Sequence, residues 1–242
     1  MKDSPRVFVP QSEKSFSPGL EERLDPAQAH YLGTVMRLTS GDEVRIFNAG
    51  DGEWSAEINV IRRGECRIVL SSCLRPGLMA GETHGATLAF ALLKRDATDL
   101  VIRMGTELGV RHFIPLVTER TNTHRANLSR LSAIAIEAVE QCERLDIPEI
   151  APITPLTSFL QSRPAGMPVV VGLERSNAPF PTRIPPSYVF LVGPEGGFSD
   201  REVSELKNLN DVCAISLGET VLRADTAAIA GLSALSIVAQ NA

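Results

Sequence analysis

The chain has 242 residues, of which 43% are hydrophobic and 22% charged, with a net charge of −5. This composition is typical of a soluble globular protein with one large or two modest domains. The negative net charge argues against a general nucleic-acid binder. The first residues lack the apolar core of a signal peptide, and no apolar run is long enough to cross a bilayer, so we expect a cytoplasmic protein with no membrane partner.

Metal chemistry is also not indicated by the sequence. The four cysteines and four histidines are scattered, without the paired spacing that zinc sites or HxxxH motifs require. We therefore expect reduced cysteines and no metal ion.

The N-terminal third predicts a small β domain. A first strand covers residues 6–9, and a helix begins at Asp25-Pro26 and continues through about residue 38, with Asp25 as its N-cap. Three segments with period-two alternation follow between residues 41 and 74, at the spacing of hairpins. They indicate an antiparallel sheet or barrel in a domain of residues 1–76, followed by a Gly/Pro-rich linker at 77–85.

From residue 87 onward, strands and helices alternate. The predicted strands are 87–93, 112–117, 168–173, 188–192 and 212–217. The predicted helices are 96–108, capped by Asp96, then 127–146, 199–209, and one from 225 onward. Ser199 and Glu202 have the spacing of a capping box. The alternation predicts an α/β domain, residues 86–242, whose parallel sheet is covered on both faces.

Two glycine-rich loops follow strands late in the chain. One is GPEGG at 193–197, and the other is LGETVLRADTA at 217–227; a third strand ends at Gly172 and Leu173. Ligands of open α/β sheets bind beyond the carboxyl ends of the strands, so these loops form one site if their strands are neighbours. The first βα turn, at 93–96, has no glycine, which argues against a dinucleotide-binding unit.

Positive charge concentrates in the segment 94–130, which carries seven basic and four acidic residues. The guanidinium group of arginine forms bidentate hydrogen bonds to phosphates and stacks on bases, so the segment is a candidate RNA surface. The alternative for each residue is an ordinary solvated charge. The candidate RNA contacts are Lys94, Arg95, Arg120, His124, Arg125 and Arg130, together with Arg6 near the start of the chain.

The pair LVGPEGGFS and LGxxVLRxxTA resembles the SPOUT class of RNA methyltransferases, and within it the ribosomal RNA small subunit methyltransferase E family. The central stretches TELGV at 106–110 and PLVTERT at 115–121 are also similar to that family. Met104 departs from it, since a lysine is usual there. The resemblance implies S-adenosylmethionine as the methyl donor and N3 of a uridine in 16S ribosomal RNA as the acceptor. It also implies a PUA-like N-terminal β-barrel, a deep trefoil knot in the C-terminal domain, a homodimer, and the small ribosomal subunit as partner.

The same resemblance implies a set of cofactor contacts. Glu195 has two open interpretations, either accepting a hydrogen bond from the ribose or bonding the N–H groups of its own loop. Thr226 has the alternative role of a helix cap. The expected cofactor-binding residues are Gly172, Leu173, Gly193, Glu195, Gly196, Leu217, Gly218, Val221, Leu222 and Thr226.

Methylation at N3 requires loss of the imide proton, and the resulting charge spreads onto O2 and O4 of uracil. We hypothesise that Arg223, with Arg6 from the other subunit, stabilises that charge. Arg223 could instead form a salt bridge to Asp225 or Glu219, and Arg6 could be an ordinary surface arginine. Two other functions stay open: methylation of a ribose 2′-O or another base, and a non-catalytic RNA-binding protein of the PUA type.

Overall fold

The computed structural model of the protein describes residues 4–79, 85–163, 166–174 and 178–240. The chain divides into two compact units, Met1–Thr83 with Val139–Ile147, and His84–Ala138 with Pro148–Ala242. The inclusion of residues 139–147 in the first unit is not a feature that the sequence predicted. The predicted domain boundaries stay predictions, and residues 80–84 of the predicted linker lie outside the described residues.

The first unit is a five-stranded sheet with a short helix. Its sheet order is β1-β3-β4-β5-β2, antiparallel except for the pair β1 and β3. The three predicted period-two strands are confirmed as β3, β4 and β5. The elements are β1 (Arg6–Phe8), β2 (Glu21–Leu24), α1 (Pro26–His30), β3 (Glu43–Asn48), β4 (Gly52–Arg62) and β5 (Glu65–Arg75).

The apolar residues that alternate with polar ones along these strands form the core of the first unit. Val44 and Ile46 of β3 are fully buried, together with Ile58 and Ile68 from the two following strands. The predicted N-cap of α1 is confirmed, because the side chain of Asp25 accepts from two backbone N–H groups. The helix ends earlier than predicted, in a π-helical turn at Tyr31–Val35.

The second unit is a parallel sheet with helices. Its elements are β6 (Ala86–Ala91), α2 (Arg95–Glu107), β7 (His112–Val117), α3 (Leu128–Cys142), β8 (Glu149–Ile150), β9 (Thr154–Pro155), α4 (Leu156–Ser162), β10 (Val169–Gly172), β11 (Tyr188–Val192), α5 (Asp200–Lys207), β12 (Val212–Ile215) and α6 (Ala224–Gln240). The order is β12-β10-β11-β6-β7-β8, with β9 also paired to β7, and every pair is parallel.

Both faces of this sheet are covered, as predicted. Val170 and Phe190 pack against α2, α3 and α6 on one face. Val171 and Leu191, their neighbours along the strands, pack with α4 and α5 on the other. Since successive strand residues point to opposite faces, burial on both sides explains the continuous apolar runs in the sequence. No helix in the described part of the chain is long and apolar enough to cross a membrane.

Two predictions about helices require correction. Lys94, not Asp96, is the N-cap of α2, and it makes no side-chain capping bond. The long helix α3 ends at Cys142 and not at residue 146, because Glu143 adopts a left-handed backbone with φ of 62°. The elements β2, β8, β9 and α4 were missed because each is short and lacks a clear period.

Tyr188 makes the stability of the fold depend on pH in the alkaline range. Burial raises the pKa of its hydroxyl from 10.0 to about 12. The unfolded chain therefore releases this proton first, so stability present below pH 10 is lost as the pH rises towards 12. Over that pH range, we expect the free energy of unfolding of Tyr188→Phe to fall by about 2–3 kcal/mol less than that of the wild type. Urea denaturation at a series of pH values would measure the difference. Tyr31→Phe, at the half-exposed second tyrosine, is the matched control; equal pH dependence in both variants would contradict this prediction.

Candidate functional site

Three strand ends converge at one edge of the parallel sheet. Gly172, the last residue of β10, is in register with Val192 of β11 on one side and with Ile215 of β12 on the other. The two glycine loops and the 172–174 segment therefore leave the sheet side by side. The condition that the sequence left open, adjacency of the three strands, is met.

A cavity of about 870 Å³ lies at this edge, within the range of small-molecule sites. Eight of the ten predicted cofactor residues line it. Gly196 and Thr226 are not among its described lining residues: the Gly196 carbonyl accepts from Arg120, and Thr226 donates to the side chain of Asp225. The eight are Gly172, Leu173, Gly193, Glu195, Leu217, Gly218, Val221 and Leu222.

Further lining residues were missed by the sequence analysis. Ser216, Glu219 and Thr220 belong to the same loop as Gly218, so the loop itself was the available signal. Asp200, Val203 and Lys207 lie at i, i+3 and i+7 of α5, a spacing that places them on one helical face. The remaining additions are Arg120, Glu174, Ala178, Val192, Pro194, Gly197, Phe198, Ala224 and Ala227.

The first glycine loop is a closed turn. The N–H of Gly197 donates to the carbonyl of Pro194 at 2.9 Å, and Gly197 has φ of 66°, a conformation that favours glycine. A Cβ on Gly193 would lie 3.0 Å from the ring of Phe198, tighter than ordinary packing. The shape of the turn itself thus favours glycine at these two positions.

Arg120 holds this turn from the neighbouring loop, the segment 118–127 after β7. Its Nη1 donates to the carbonyl of Gly196 at 3.1 Å and to that of Phe198 at 3.2 Å. Arg120 also lines the cavity. The structure therefore places this predicted RNA contact against the cofactor loop, where it supports the backbone.

Glu202 makes a second link between the same two loops. Its carboxylate accepts from the N–H of Ser199 and from the N–H of Glu119, both at 2.8 Å, while the side chain of Ser199 accepts from the N–H of Glu202. The predicted capping box is confirmed, and Glu202 is only 3% exposed. The contact with Glu119 is a second role that spacing along the helix could not predict, because the partner is 83 residues away.

The cavity carries more negative than positive charge. Its acidic lining residues are Glu174, Glu195, Asp200 and Glu219, and its basic ones are Arg120 and Lys207. Val221, an apolar side chain that is 59% exposed, lies at the same cavity. The lining thus combines open backbone, an apolar surface and an acidic field, which suits a cationic ligand with a flat apolar part.

The two arginines predicted to be catalytic lie in different surroundings. Arg223 is exposed between Leu222, which lines the cavity, and the start of α6, and it is not itself a lining residue. Among the described residues it has no ion pair, so the alternative salt bridges to Asp225 and Glu219 are not formed.

Arg6 is buried in the first unit, with 6% exposure, and is not a surface arginine. Its Nε and Nη2 donate to Glu53, and its Nη1 and Nη2 donate to the carbonyls of Val139, Glu140 and Arg144. All five N–H groups are used, and the charge sits at the C-terminal end of α3, where a cation is favourable. Arg6 is thus held in a buried network, and its catalytic and RNA-binding roles stay predictions.

Three predicted RNA contacts gather at a second, smaller cavity of about 340 Å³. It lies at the carboxyl ends of β6 and β7 and is lined by Arg95, Arg125 and Arg130. Lys94 and His124 are exposed and are not among its lining residues.

Comparisons with known proteins agree with this architecture. A family model for an RNA methyltransferase domain matches residues 82–236, and one for an RNA methyltransferase PUA domain matches residues 24–71. The chain is 34% identical over 217 residues to ribosomal RNA small subunit methyltransferase E of Rickettsia conorii, covering 88% of this chain and 87% of that protein. It is 33% identical over 228 residues to the protein of the same name from Synechocystis, covering 90% and 73%.

Solved structures are similar over almost the whole chain. A putative methyltransferase from Legionella pneumophila, in complex with bound S-adenosylmethionine, is 27% identical with a TM-score of 0.84, covering 97% of both chains. A small subunit methyltransferase E from Neisseria gonorrhoeae bound to S-adenosylmethionine is 24% identical with a TM-score of 0.85, also covering 97% of both chains, and supports the fold. These similarities confirm the predicted α/β fold with a PUA domain.

Glu202 should stabilise the joined loops measurably. In Glu202→Gln one acceptor oxygen becomes an NH₂ group facing a backbone N–H, so we expect a loss of about 1–3 kcal/mol. Urea denaturation and faster amide exchange at Glu119 and Ser199 would measure it. Glu205→Gln, on the same helix and without this contact, should change stability by less than about 0.5 kcal/mol. Equal effects in the two variants would rule out the special role of Glu202.

Proposed function

Because the chain belongs to the ribosomal RNA small subunit methyltransferase E family, whose activity is methylation of ribosomal RNA with S-adenosylmethionine, we propose that its acceptor atom is N3 of one uridine in the small-subunit RNA. The acceptor atom rests on the resemblance of the two glycine loops. The observation that carries the activity is the cavity where those loops meet at the ends of β10, β11 and β12.

The residues present fit the cofactor. Gly193 and Leu217 border the cavity, and their backbone groups are the expected donors and acceptors for adenine and ribose. Leu173 and the exposed Val221 supply an apolar surface for the base. The acidic lining favours a ligand that carries a sulfonium and an ammonium. When bound, S-adenosylmethionine would supply a methyl group for in-line transfer from that sulfonium to N3, with the thioether S-adenosylhomocysteine as leaving group and the imide proton passing to a base or to water.

The chemistry assigned to the protein is positioning and charge stabilisation. Glu202 and Arg120 hold the turn at 194–198 against the cavity, so the backbone there is ordered before the ligand enters. Glu195 lines the cavity with an exposed carboxylate and makes no hydrogen bond among the described residues, which favours its role towards the ribose over one within its own loop.

Arg223 is assigned to the uracil anion. Its guanidinium is exposed, has no ion pair among the described residues and follows directly after a residue of the cavity. Arginine keeps its charge at neutral pH and offers fixed N–H donors, so it stabilises O2 or O4 without acting as the base. Its exposed, unpaired state is the support for this role.

The assembly belongs to the same proposal. The protein acts as a homodimer with a deep trefoil knot in its C-terminal part, as the resemblance implies, and its substrate is the RNA of the small ribosomal subunit. Ile237 near the end of α6 is 59% exposed, and burial of such a side chain between subunits would be favourable.

The acceptor atom can be tested with small ribosomal subunits that lack the modification. Incubation with labelled S-adenosylmethionine, digestion and mass spectrometry of the nucleosides should yield 3-methyluridine. Recovery of the label as a 2′-O-methylated nucleoside would replace the N3 assignment, and RNA without label would overturn the activity.

For Arg223→Ala we expect turnover at saturating cofactor to fall roughly 10²-fold, as for loss of an anion-stabilising donor. The dissociation constant for S-adenosylmethionine, measured by calorimetry, should stay the same, because the side chain does not line the cavity. Arg23→Ala removes an exposed arginine that lies outside the cavity and has no ion pair among the described residues, and it is the control. Unchanged turnover in Arg223→Ala would remove Arg223 from the mechanism.

A further inference from the structure

The smaller cavity, at the carboxyl ends of β6 and β7, has the features of an anion site. Arg95, Arg125 and Arg130 line its volume of about 340 Å³, together with the polar residues Thr98, Thr123 and Asn127. The guanidinium group of arginine matches the geometry of phosphate oxygens, and in a small concave site several guanidinium groups can contact one phosphate.

The charges around this cavity are only partly compensated. Arg130 pairs with Asp99 across to α2. Arg95 and Arg125 are exposed and have no ion pair among the described residues. Asp96, in the first turn of α2, is the other nearby carboxylate, and it is not among the described lining residues. Two cations are therefore left available to a ligand.

The start of α2 adds to this field. The helix has 13 residues, and its N-cap Lys94 provides no side-chain acceptor for the N–H groups of the first turn. Lysine and arginine are unfavourable at the positive end of a helix dipole. An anion bound there would accept from free N–H groups and offset the like charges at the same time.

The position of the cavity relates it to the methyl-transfer site. The loop 118–127 reaches both cavities: Arg120 lines the cofactor cavity, while Thr123 and Arg125 line the smaller one. In the sheet, β6 lies directly beside β11, whose glycine loop borders the cofactor cavity. A group held in the smaller cavity would thus lie at strand ends next to those that border the larger cavity.

We propose that the cavity lined by Arg95, Arg125 and Arg130 binds one backbone phosphate of the substrate RNA and so fixes the target nucleotide next to the cofactor. This inference rests on the proposed function and refines it, because it assigns one phosphate contact to a defined cavity within the basic segment. The ligand is a phosphate group. A phosphate group can come from the RNA backbone or from a free phosphorylated small molecule, and we assign the site to the RNA backbone.

The test uses the full-length protein with the double variant Arg95→Ala/Arg125→Ala. Affinity for a transcript of small-subunit ribosomal RNA is measured over a range of salt concentrations. We expect binding at low salt to weaken roughly tenfold or more, and the slope of log K against log salt to become shallower by about one unit, as for loss of one phosphate contact. Affinity for S-adenosylmethionine should not change.

Arg23→Ala/Arg63→Ala is the matched control, since it removes the same charge from exposed positions outside both cavities that have no ion pair among the described residues. The slope of this control should equal that of the wild type. If the control and the Arg95/Arg125 variant change equally, the effect is one of net charge and the phosphate site is overturned.

Titration with inorganic phosphate separates the two sources. If wild type binds it saturably, the double variant does not, and RNA binding is the same in both, the site serves a free phosphorylated ligand and the RNA assignment is overturned. If the wild-type protein methylates RNA and the double variant has the same salt slope as the wild type, the phosphate site is overturned while the proposed function stands. A wild type that neither binds nor methylates RNA overturns the proposed function, and the phosphate site with it.

Discussion

The parallel pairing of β10 between β11 and β12 is the constraint on which the site depends. It brings Gly172 into register with the last residues of two strands that come later in the chain. Three loops then leave the same edge of the sheet together, and the cofactor cavity is the space between them. The helices on both faces bury Val170 and Val171 alike, so this central strand is held from both sides.

The loop after β7 connects the two parts of the site. Arg120 and the partner of Glu202 both belong to it, so this loop supports the glycine turn through charge-assisted bonds to the backbone. The same loop then contributes Thr123 and Arg125 to the basic cavity. One segment thus supports the glycine turn and forms part of the surface proposed for RNA.

Arg6 shows how the burial of a charged residue escapes sequence analysis. As an isolated arginine near the start of the chain, it carries no local sign of burial. Its partners are Glu53, 47 positions away, and carbonyls at the end of α3 more than 130 positions away. Glu53 is 4% exposed and also accepts from Arg45 and Arg75, so a buried carboxylate is compensated by three cations. Only the tertiary structure reveals such a network.

The sequence by itself determined the strands of the parallel sheet, the capping box at Ser199, both glycine loops and the family, because period, turn chemistry and motif are local properties. Eight of the residues predicted to bind a cofactor line the larger cavity, since they belong to the loops that carry the motif. The tertiary structure decided the strand order, the burial of Arg6, the second role of Glu202 and the gathering of Arg95, Arg125 and Arg130. Each of these depends on contacts between segments distant in the chain, for which no local pattern exists.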